Sequence, residues 1–203
     1  VAYRESGYDT EFDGEFECND DFFNRFWQKG LTTLYVNMRD TFFDCPDRER
    51  AQWWGDVTLL SAECFYCASS STYDLIRKAI LELCAFQDDE GVIRSPVPGI
   101  YKHELPSQML ASVGRYGFWN YYMNTADIAT IKSVYPVVKK YLSLWTLDAD
   151  GLVVHRKGGW NWGDWGDNKD IVLIQSAWLY LAYESAVRMA GLCGDEEEII
   201  RYK

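Results

Sequence analysis

Hydrophobic side chains recur along most of the chain about every 3.6 residues, which is the repeat of an amphipathic helix. The clearest stretch begins at Asp20, and similar patterns follow to the end of the chain. The expected helices cover residues 20–40, 57–67, 72–83, 107–123, 127–145 and 171–190. A seventh could begin at Asp195. No alternating run is long enough for a substantial sheet, although residues 152–155 could pair with residues 144–145, so the pattern predicts an all-α protein.

Capping residues, prolines and glycines mark the expected helix boundaries. Asp56 can accept hydrogen bonds from the first N–H groups of the second helix, so we expect it to be the N-cap. Pro136 lacks a backbone donor and should bend or interrupt the helix over residues 127–145. Gly191 and Gly194 would end the sixth helix.

Short and long loops alternate between the expected helices, which indicates helices paired as hairpins. The long loops cover residues 41–55, 88–106 and 146–170 and hold many Trp, Asp, Glu and Gly side chains. Such hairpins can gather their long loops at one end, where a site can form. We interpret residues 1–19 as a linker or lead-in. Residues 20–203 are then the N-terminal part of one helical domain.

Charge and aromatic content narrow the choice of partner. The net charge is −11, so the surface repels phosphate backbones and nucleic acid is not expected to bind. No apolar run is long enough to span a bilayer, so a membrane is not an expected partner either. Aromatic residues make up 16% of the chain, more than a core requires, and flat aromatic faces often line sugar-binding grooves. A neutral carbohydrate therefore suits this composition best.

The six cysteines do not require a disulfide framework, because the chain is large and apolar enough to fold without one. Cys64 and Cys67 form a CxxC motif inside an expected helix. No second CxxC follows and only two His are present, so we interpret both as buried core thiols. A redox pair or a zinc site is the alternative.

The densest candidate chemistry lies in the loop over residues 44–56. It combines three carboxylates, two guanidinium groups and two indoles, from Asp44, Glu49, Asp56, Arg48, Arg50, Trp53 and Trp54. Hydrolysis of a glycosidic bond needs one carboxylic acid to protonate the leaving oxygen, and neighbouring acids raise the proton affinity of one member of such a group. The alternative is a solvated loop in which Asp56 is only a cap and Trp53 only fills the core.

The whole string over residues 44–56 decides between these alternatives. It reads Asp-Cys-Pro-x-Arg-Glu-Arg-x-x-Trp-x-Gly-Asp, which resembles the signature of the α-L-rhamnosidases of glycoside hydrolase family 78. The resemblance implies a toroid of six helical hairpins, (α/α)6, of which this chain would form about half. It also implies hydrolysis of terminal α-L-rhamnose with inversion, without a cofactor or metal ion.

The resemblance also implies a role for each matching position. Glu49 matches the general acid, and Asp44 and Asp56 match acids that bind sugar hydroxyls. Trp53 matches an apolar wall of the rhamnose pocket. Arg48 occupies a motif position that we expect to orient the carboxylates.

A second candidate segment lies in the Gly-rich loop over residues 158–167. Asp164 and Trp165, after Gly163, resemble a Gly-Asp-Trp element of the family. Trp165 would then form a wall of the sugar site, and Asp164 would bind a hydroxyl or support the loop. The alternative is a Gly-rich turn whose indoles cover the core.

Other polar and aromatic residues have simpler interpretations. His103 is expected to be an ordinary solvent-exposed loop residue, although its loop could add contacts to the substrate. Tyr116, Trp119 and Tyr122 repeat at helical spacing and are expected to pack in the core.

The expected mechanism is incomplete within residues 1–203. The family's general base is a Glu that we expect downstream of Lys203, and Glu184 matches no motif. The expected partners are therefore a rhamnose-containing glycoside and the remaining half of the same polypeptide. The alternatives are another (α/α)6 glycosidase or a carbohydrate-binding module without catalysis. A secreted or periplasmic location is preferred to a cytoplasmic one.

Overall fold

The computed structural model describes residues 2, 6–99, 103–156, 160–163 and 165–203 of the chain. Within these residues it contains eight helices. They are α1 (Asp21–Val36), α2 (Trp54–Cys67), α3 (Thr72–Ala85), α4 (Pro106–Val113), α5 (Phe118–Thr125), α6 (Ile128–Leu142), α7 (Ile171–Cys193) and α8 (Glu196–Tyr202). The described residues form isolated β-bridges and no longer strand, so the all-α prediction is confirmed.

Short connections join α2 to α3, α5 to α6 and α7 to α8, so the chain follows the order of successive helical hairpins. Helix α4 packs between α2 and α7, so these three helices form an inner row. Helix α3 packs on α6 in the outer row, and α1 packs on α2. This is the expected arrangement of about half of an (α/α)6 toroid. Its long loops lie before the inner helices, where they can share one site.

Helix α2 begins three residues earlier than predicted, and Asp56 is not its N-cap. The N-cap is Trp53, which makes no side-chain capping bond, and Asp56 lies in the first turn. The buried side chain of Trp54 joins the core, and its backbone N–H donates to Ser95 Oγ at 2.9 Å. Because Ser95 accepts from this N–H group, the helix can begin without an Asp cap. Asp195 does cap α8, as expected.

The helix expected over residues 107–123 is divided between α4 and α5. The break lies at Gly114–Gly117, where the chain passes close to α7. A Cβ atom at Gly114 would lie 2.8 Å from Cα of Ala182, and one at Gly117 would lie 2.0 Å from the carbonyl oxygen of Ser112. Only glycine allows these approaches, so tertiary packing overrides the local helical pattern.

Two further expectations can be compared with the structure. Helix α6 runs through Pro136 without the interruption that was one of the two expected outcomes. Pro136 and Lys132 are both exposed, so water can reach the Lys132 carbonyl that loses its helical donor. The short hairpin forms with residues 146–148 rather than 144–145: Val154 N–H donates to Thr146 at 3.0 Å, and the turn contains a left-handed Gly151.

The cysteine interpretation is confirmed, since Cys64 and Cys67 are buried and all six cysteines are unpaired. Burial raises the pKa of Cys64 to about 12 and that of Cys67 to about 11, so both are inert thiols at neutral pH. No described helix has the length and apolar character that crossing a membrane requires.

Candidate active site

The 44–56 loop folds back on itself between α1 and α2. The backbone N–H of Asp44 donates to the carbonyl of Ala51 at 2.9 Å. The N–H of Ala51 in turn donates to Asp44 Oδ1 at 3.0 Å. This pairing closes residues 45–50 into a compact turn, in which Arg50 adopts a left-handed φ of 49°. The turn brings the three carboxylates of the motif into one neighbourhood.

Glu49 lies at the surface of this turn and is paired with its neighbour Arg48. Arg48 Nη2 lies 2.6 Å from Oε1 of Glu49, and Arg48 Nε donates to Oε2 at 2.8 Å. The Cys45 thiol also donates to Oε2, at 3.3 Å. The hydrogen bond from Arg48 is the main reason that the pKa of Glu49 falls to about 2. Glu49 is therefore not the acid of this loop whose proton affinity its neighbours raise.

Asp56 has the opposite electrostatics. It is half-buried in the first turn of α2, and burial is the main cause that raises its pKa. The charge of Asp44 raises that pKa further, and the charge of Glu49 adds a smaller effect. Arg48, expected to orient these neighbouring acids, pairs with Glu49 itself. Of the carboxyl groups of Glu49 and Asp56, the latter is the one that holds a proton more readily.

Aromatic rings connect the two segments singled out in the sequence. Trp53 stacks on His103 at 6.1 Å between ring centroids, with planes inclined by 23°, and His103 meets Trp160 at 5.4 Å. The series continues from Trp160 to Trp162 at 6.3 Å and from Trp162 to Trp165 at 5.7 Å. These five rings form what we call the ring row. Both predicted Trp walls belong to it, and Asp164 lies outside the described residues.

His103 is exposed, as expected, but it is more than an ordinary loop residue because its ring links Trp53 to Trp160. Sequence spacing contains no signal for this role, since the three residues belong to three separate loops. The expected core stripe also needed correction. Trp119 is buried, whereas Tyr116 lies in the break between α4 and α5 and is 46% exposed.

A cavity of about 420 Å³ adjoins the ring row at the N-terminal ends of α2 and α4. Its lining includes Gly55, Thr58 and Gln108 together with the aromatic residues Tyr116, Trp162 and Trp178. The volume falls within the range of about 300–1,000 Å³ that is typical of small-molecule sites. One member of the motif and one of the ring row thus share a concave surface.

Among the described residues, Asp44, Cys45 and Glu49 have donor atoms close enough to hold a metal ion, all within 4.8 Å of one another. Glu49 already accepts from both Arg48 and Cys45, and Asp44 accepts from the backbone of Ala51. These contacts are those of a hydrogen-bonded loop, and they explain the clustering without an ion.

Comparison with known proteins identifies the family. Residues 11–203 match the model of the bacterial alpha-L-rhamnosidase six-hairpin glycosidase domain. The chain belongs to this family. This rhamnosidase-family chain is 23% identical over 171 residues to an alpha-L-rhamnosidase of Formosa agariphila. The matched region is 75% of this chain and 17% of that relative. The resemblance stated from the motif is thereby confirmed.

Solved structures of rhamnosidases have the same fold as this rhamnosidase-family chain. A glycoside hydrolase family 78 rhamnosidase of Bacillus sp. GL1 superposes with a TM-score of 0.85 at 24% identity, covering 97% of this chain and 20% of its own. A Klebsiella oxytoca rhamnosidase with rhamnose bound has a TM-score of 0.76 at 20% identity. The superposed region covers 91% of this chain and 38% of the Klebsiella chain. The chain thus spans well under half the length of these relatives.

Proposed function

We propose that this chain supplies the general acid and part of the sugar pocket of an inverting glycoside hydrolase that releases terminal α-L-rhamnose. The observation that supports it is the contact of the 44–56 carboxylate loop with the ring row, through Trp53 and His103. Carboxylates bind sugar hydroxyls and flat rings receive the apolar faces of sugars. The net charge of −11 suits a neutral glycoside better than an anionic one.

In the proposed mechanism, Glu49 gives its proton to the glycosidic oxygen as the bond from that oxygen to the anomeric carbon breaks. A second carboxylate takes a proton from water, whose oxygen bonds to the anomeric carbon from the opposite face. The two carboxyl groups of inverting enzymes lie about 6.5–9.5 Å apart, which leaves room for this water. Asp44, Asp56 and Asp164 hold sugar hydroxyls, and Trp53 and Trp165 form the apolar walls.

Glu49 must become protonated before it can act. Arg48 is 84% exposed, so it can turn into solvent at little cost when a sugar arrives. Loss of the Arg48 contact and exclusion of water by the sugar both raise the pKa of Glu49. Arg48 therefore keeps Glu49 ionised in the free site. When Arg48 moves away in the complex, Glu49 can take up a proton.

The water-activating base is proposed to come from further helices of the same toroid. Two inner helices carry large apolar side chains with exposed surface, from Leu59 and Tyr66 on α2 and from Leu173 and Tyr180 on α7. Leu59 is 66% exposed, Tyr66 80%, Leu173 61% and Tyr180 68%. Large exposed apolar side chains of this kind favour burial against other protein segments. The remaining half of the polypeptide is the proposed occupant, and a Glu downstream of Lys203 the proposed base.

One observation favours a second candidate, a carbohydrate-binding domain without catalysis. Glu49 is ionised and paired in the free site, as is suitable for holding hydroxyls rather than for donating a proton. In that case the motif would bind rhamnose and turnover would be absent. A different (α/α)6 glycosidase activity would instead show as turnover of another sugar.

The complete parent protein with a chromogenic α-L-rhamnoside distinguishes these candidates. We expect Glu49→Gln to lose most turnover while rhamnose binding, measured by calorimetry, survives. Asp47→Asn, an exposed change at a position of the same loop that the motif leaves unspecified, is the matched control and should retain activity. Proton NMR of the first-formed sugar should show the inverted anomer. Near-normal turnover by Glu49→Gln would refute the acid assignment.

A further inference from the structure

A buried ion pair lies beneath the ring row. Glu104 and Arg156 are 52 residues apart in sequence, and their side chains are only 3% and 14% exposed. Arg156 Nε lies 3.1 Å from Oε1 of Glu104, and Arg156 Nη2 donates to Oε2 at 3.2 Å. The Nη2 contact is a hydrogen bond, whereas Nε lies near Oε1 without hydrogen-bond geometry, so one charge-assisted hydrogen bond and the attraction of opposite charges hold the two side chains together.

Aromatic side chains enclose this pair. The Arg156 guanidinium lies 6.0 Å from the ring centroid of Tyr141 and 5.6 Å from that of Trp145. The Tyr141 hydroxyl, fully buried, donates to Glu104 Oε1 at 3.5 Å. Two charges in such surroundings lose their hydration, and apolar residues of similar volume would often be as stable or more so. Stability alone is therefore a poor explanation for this pair.

The pair joins two loops that contribute to the ring row. Glu104 belongs to the loop before α4, and Arg156 belongs to the loop before α7. The carbonyl of Glu104 also accepts from the backbone N–H of Trp160 at 2.9 Å. His103 precedes Glu104 directly, so one loop places the His103 ring and the other places the Trp160 ring against it.

We propose that Glu104 and Arg156 are positioning residues that hold His103 and Trp160 in register with Trp53, so that the ring row presents one continuous surface to the glycoside. This inference rests on the proposed function for its substrate and on the contacts above for its geometry. The pair touches no expected reacting atom. It acts by removing the freedom of two loops to move relative to each other, which lowers the entropy lost when substrate binds.

The test uses the full-length protein and the double variant Glu104→Gln/Arg156→Met. Removing both charges together avoids an unpaired buried ion, so the variant should keep its thermal midpoint within a few degrees of wild type. We expect KM for the rhamnoside to rise about tenfold while kcat changes by less than about threefold. Arg156→Lys keeps the charge but loses the planar guanidinium that contacts the Tyr141 and Trp145 rings, and should give an intermediate KM.

A second measurement does not depend on activity. Hydrogen exchange followed by mass spectrometry should show faster exchange in peptides containing Trp160 for the double variant. Glu184→Gln/Arg188→Met is the matched control, because it removes a half-exposed ion pair on α7 whose residues are not part of the ring row. The control should leave KM and the exchange of these peptides unchanged.

Wild-type KM together with wild-type exchange in the double variant would overturn the proposal. A loss of activity that only follows a loss of thermal midpoint, with KM unchanged in the folded fraction, would also overturn it. If the wild-type parent binds rhamnosides without turnover, the proposed hydrolysis fails. The positioning role is then decided by the dissociation constant and by exchange.

Discussion

Arg48 Nη2 lies 2.6 Å from Glu49 Oε1, so the carboxyl group expected to donate a proton is held as an anion by its own sequence neighbour. The adjacent residues of the Arg-Glu dipeptide turn towards each other because the Asp44–Ala51 pairing closes the loop around them. The motif thereby places the proposed proton donor, Glu49, beside a group that suppresses its protonation. This relationship makes the activity of Glu49 depend on where Arg48 lies.

Replacing Arg48 by Gln should therefore change the pH dependence of turnover. The arginine lowers the pKa of Glu49 to about 2, and without it the pKa should return towards its ordinary value of 4.5. A general acid works only while protonated, so activity that depends on it is lost as pH rises through its pKa. We expect the descending limb of the kcat/KM profile to lie at higher pH in Arg48→Gln than in wild type.

The control for this shift is Arg50→Gln, which removes the same charge from the same loop. Arg50 lies over the Phe43 ring, with its guanidinium carbon 5.6 Å from the ring centroid. Its removal should leave the descending limb in place. A profile that is identical in wild type and Arg48→Gln would show that the pair does not control the acid.

Periodicity predicted most helices because their apolar stripes are long, and the motif predicted the 44–56 loop because its residues are adjacent in sequence. The errors occurred where distant residues decide the structure. Ala182 of α7 approaches Gly114 and divides α4 from α5, and Ser95 replaces the expected cap of α2. No local pattern contains either partner, so the helical stripe and the Asp cap were the only signals available.

The candidate site, too, could be predicted from sequence only where its residues are adjacent in the chain. The roles proposed for Asp44, Glu49 and Trp53 come from a contiguous string, whereas Glu104 and Arg156 are a pair only in the folded chain. Each is a common charged residue in a polar loop, so neither stands out in sequence. Their importance depends on burial, which follows from how the inner helices pack.

Asp56→Asn should stabilise the protein at neutral pH while weakening sugar binding. Burial raises the pKa of Asp56, so the folded state favours its protonated form. Its contribution to stability is present below the unfolded pKa and is lost as pH rises through the folded pKa. The neutral amide avoids this loss. We expect a higher thermal midpoint for Asp56→Asn at pH 7, with little difference at about pH 3, where the wild-type carboxyl is also protonated.

A control variant separates the effect of Asp56 on stability from the effect of removing any surface charge. Asp47→Asn removes a charge from the exposed part of the same loop and should leave both the midpoint and its pH dependence close to wild type. A lower midpoint for Asp56→Asn at pH 7 would contradict the prediction, because it would mean that the ionised carboxylate stabilises the fold.

Gly114→Ala should destabilise the domain by about 1–3 kcal/mol, the usual cost of forcing extra volume into a packed contact. A Cβ atom there would lie 2.7 Å from the Leu110 carbonyl oxygen and 2.8 Å from Ala182 Cα, both of which are backbone atoms. Gly30→Ala is the matched control. Gly30 lies within α1 and has nothing within 4 Å of the new atom, so the change should stabilise by about 0.5–1 kcal/mol.

Thermal or denaturant unfolding of the two glycine variants checks this prediction. The opposite signs matter more than the sizes, since both changes add one methyl group in place of a hydrogen atom. Equal effects in the two variants would mean that α4 and α7 do not approach as closely as the break at Gly114–Gly117 implies.

Trp53→Ala should raise KM for the rhamnoside about tenfold, which corresponds to about 1.4 kcal/mol of lost binding free energy. Trp53 is held on one side by the start of α2 and on the other by the His103 ring, so its surface is already ordered before substrate binds.

Trp165 is 82% exposed and lies at the far end of the ring row, so Trp165→Ala should have a smaller effect. Phe86→Ala, at the end of α3, provides the control for loss of an exposed ring and should leave KM unchanged. Steady-state kinetics of the three variants in the full-length protein measures the order of their effects on KM. A larger effect at Trp165 than at Trp53 would place the sugar at the other end of the ring row.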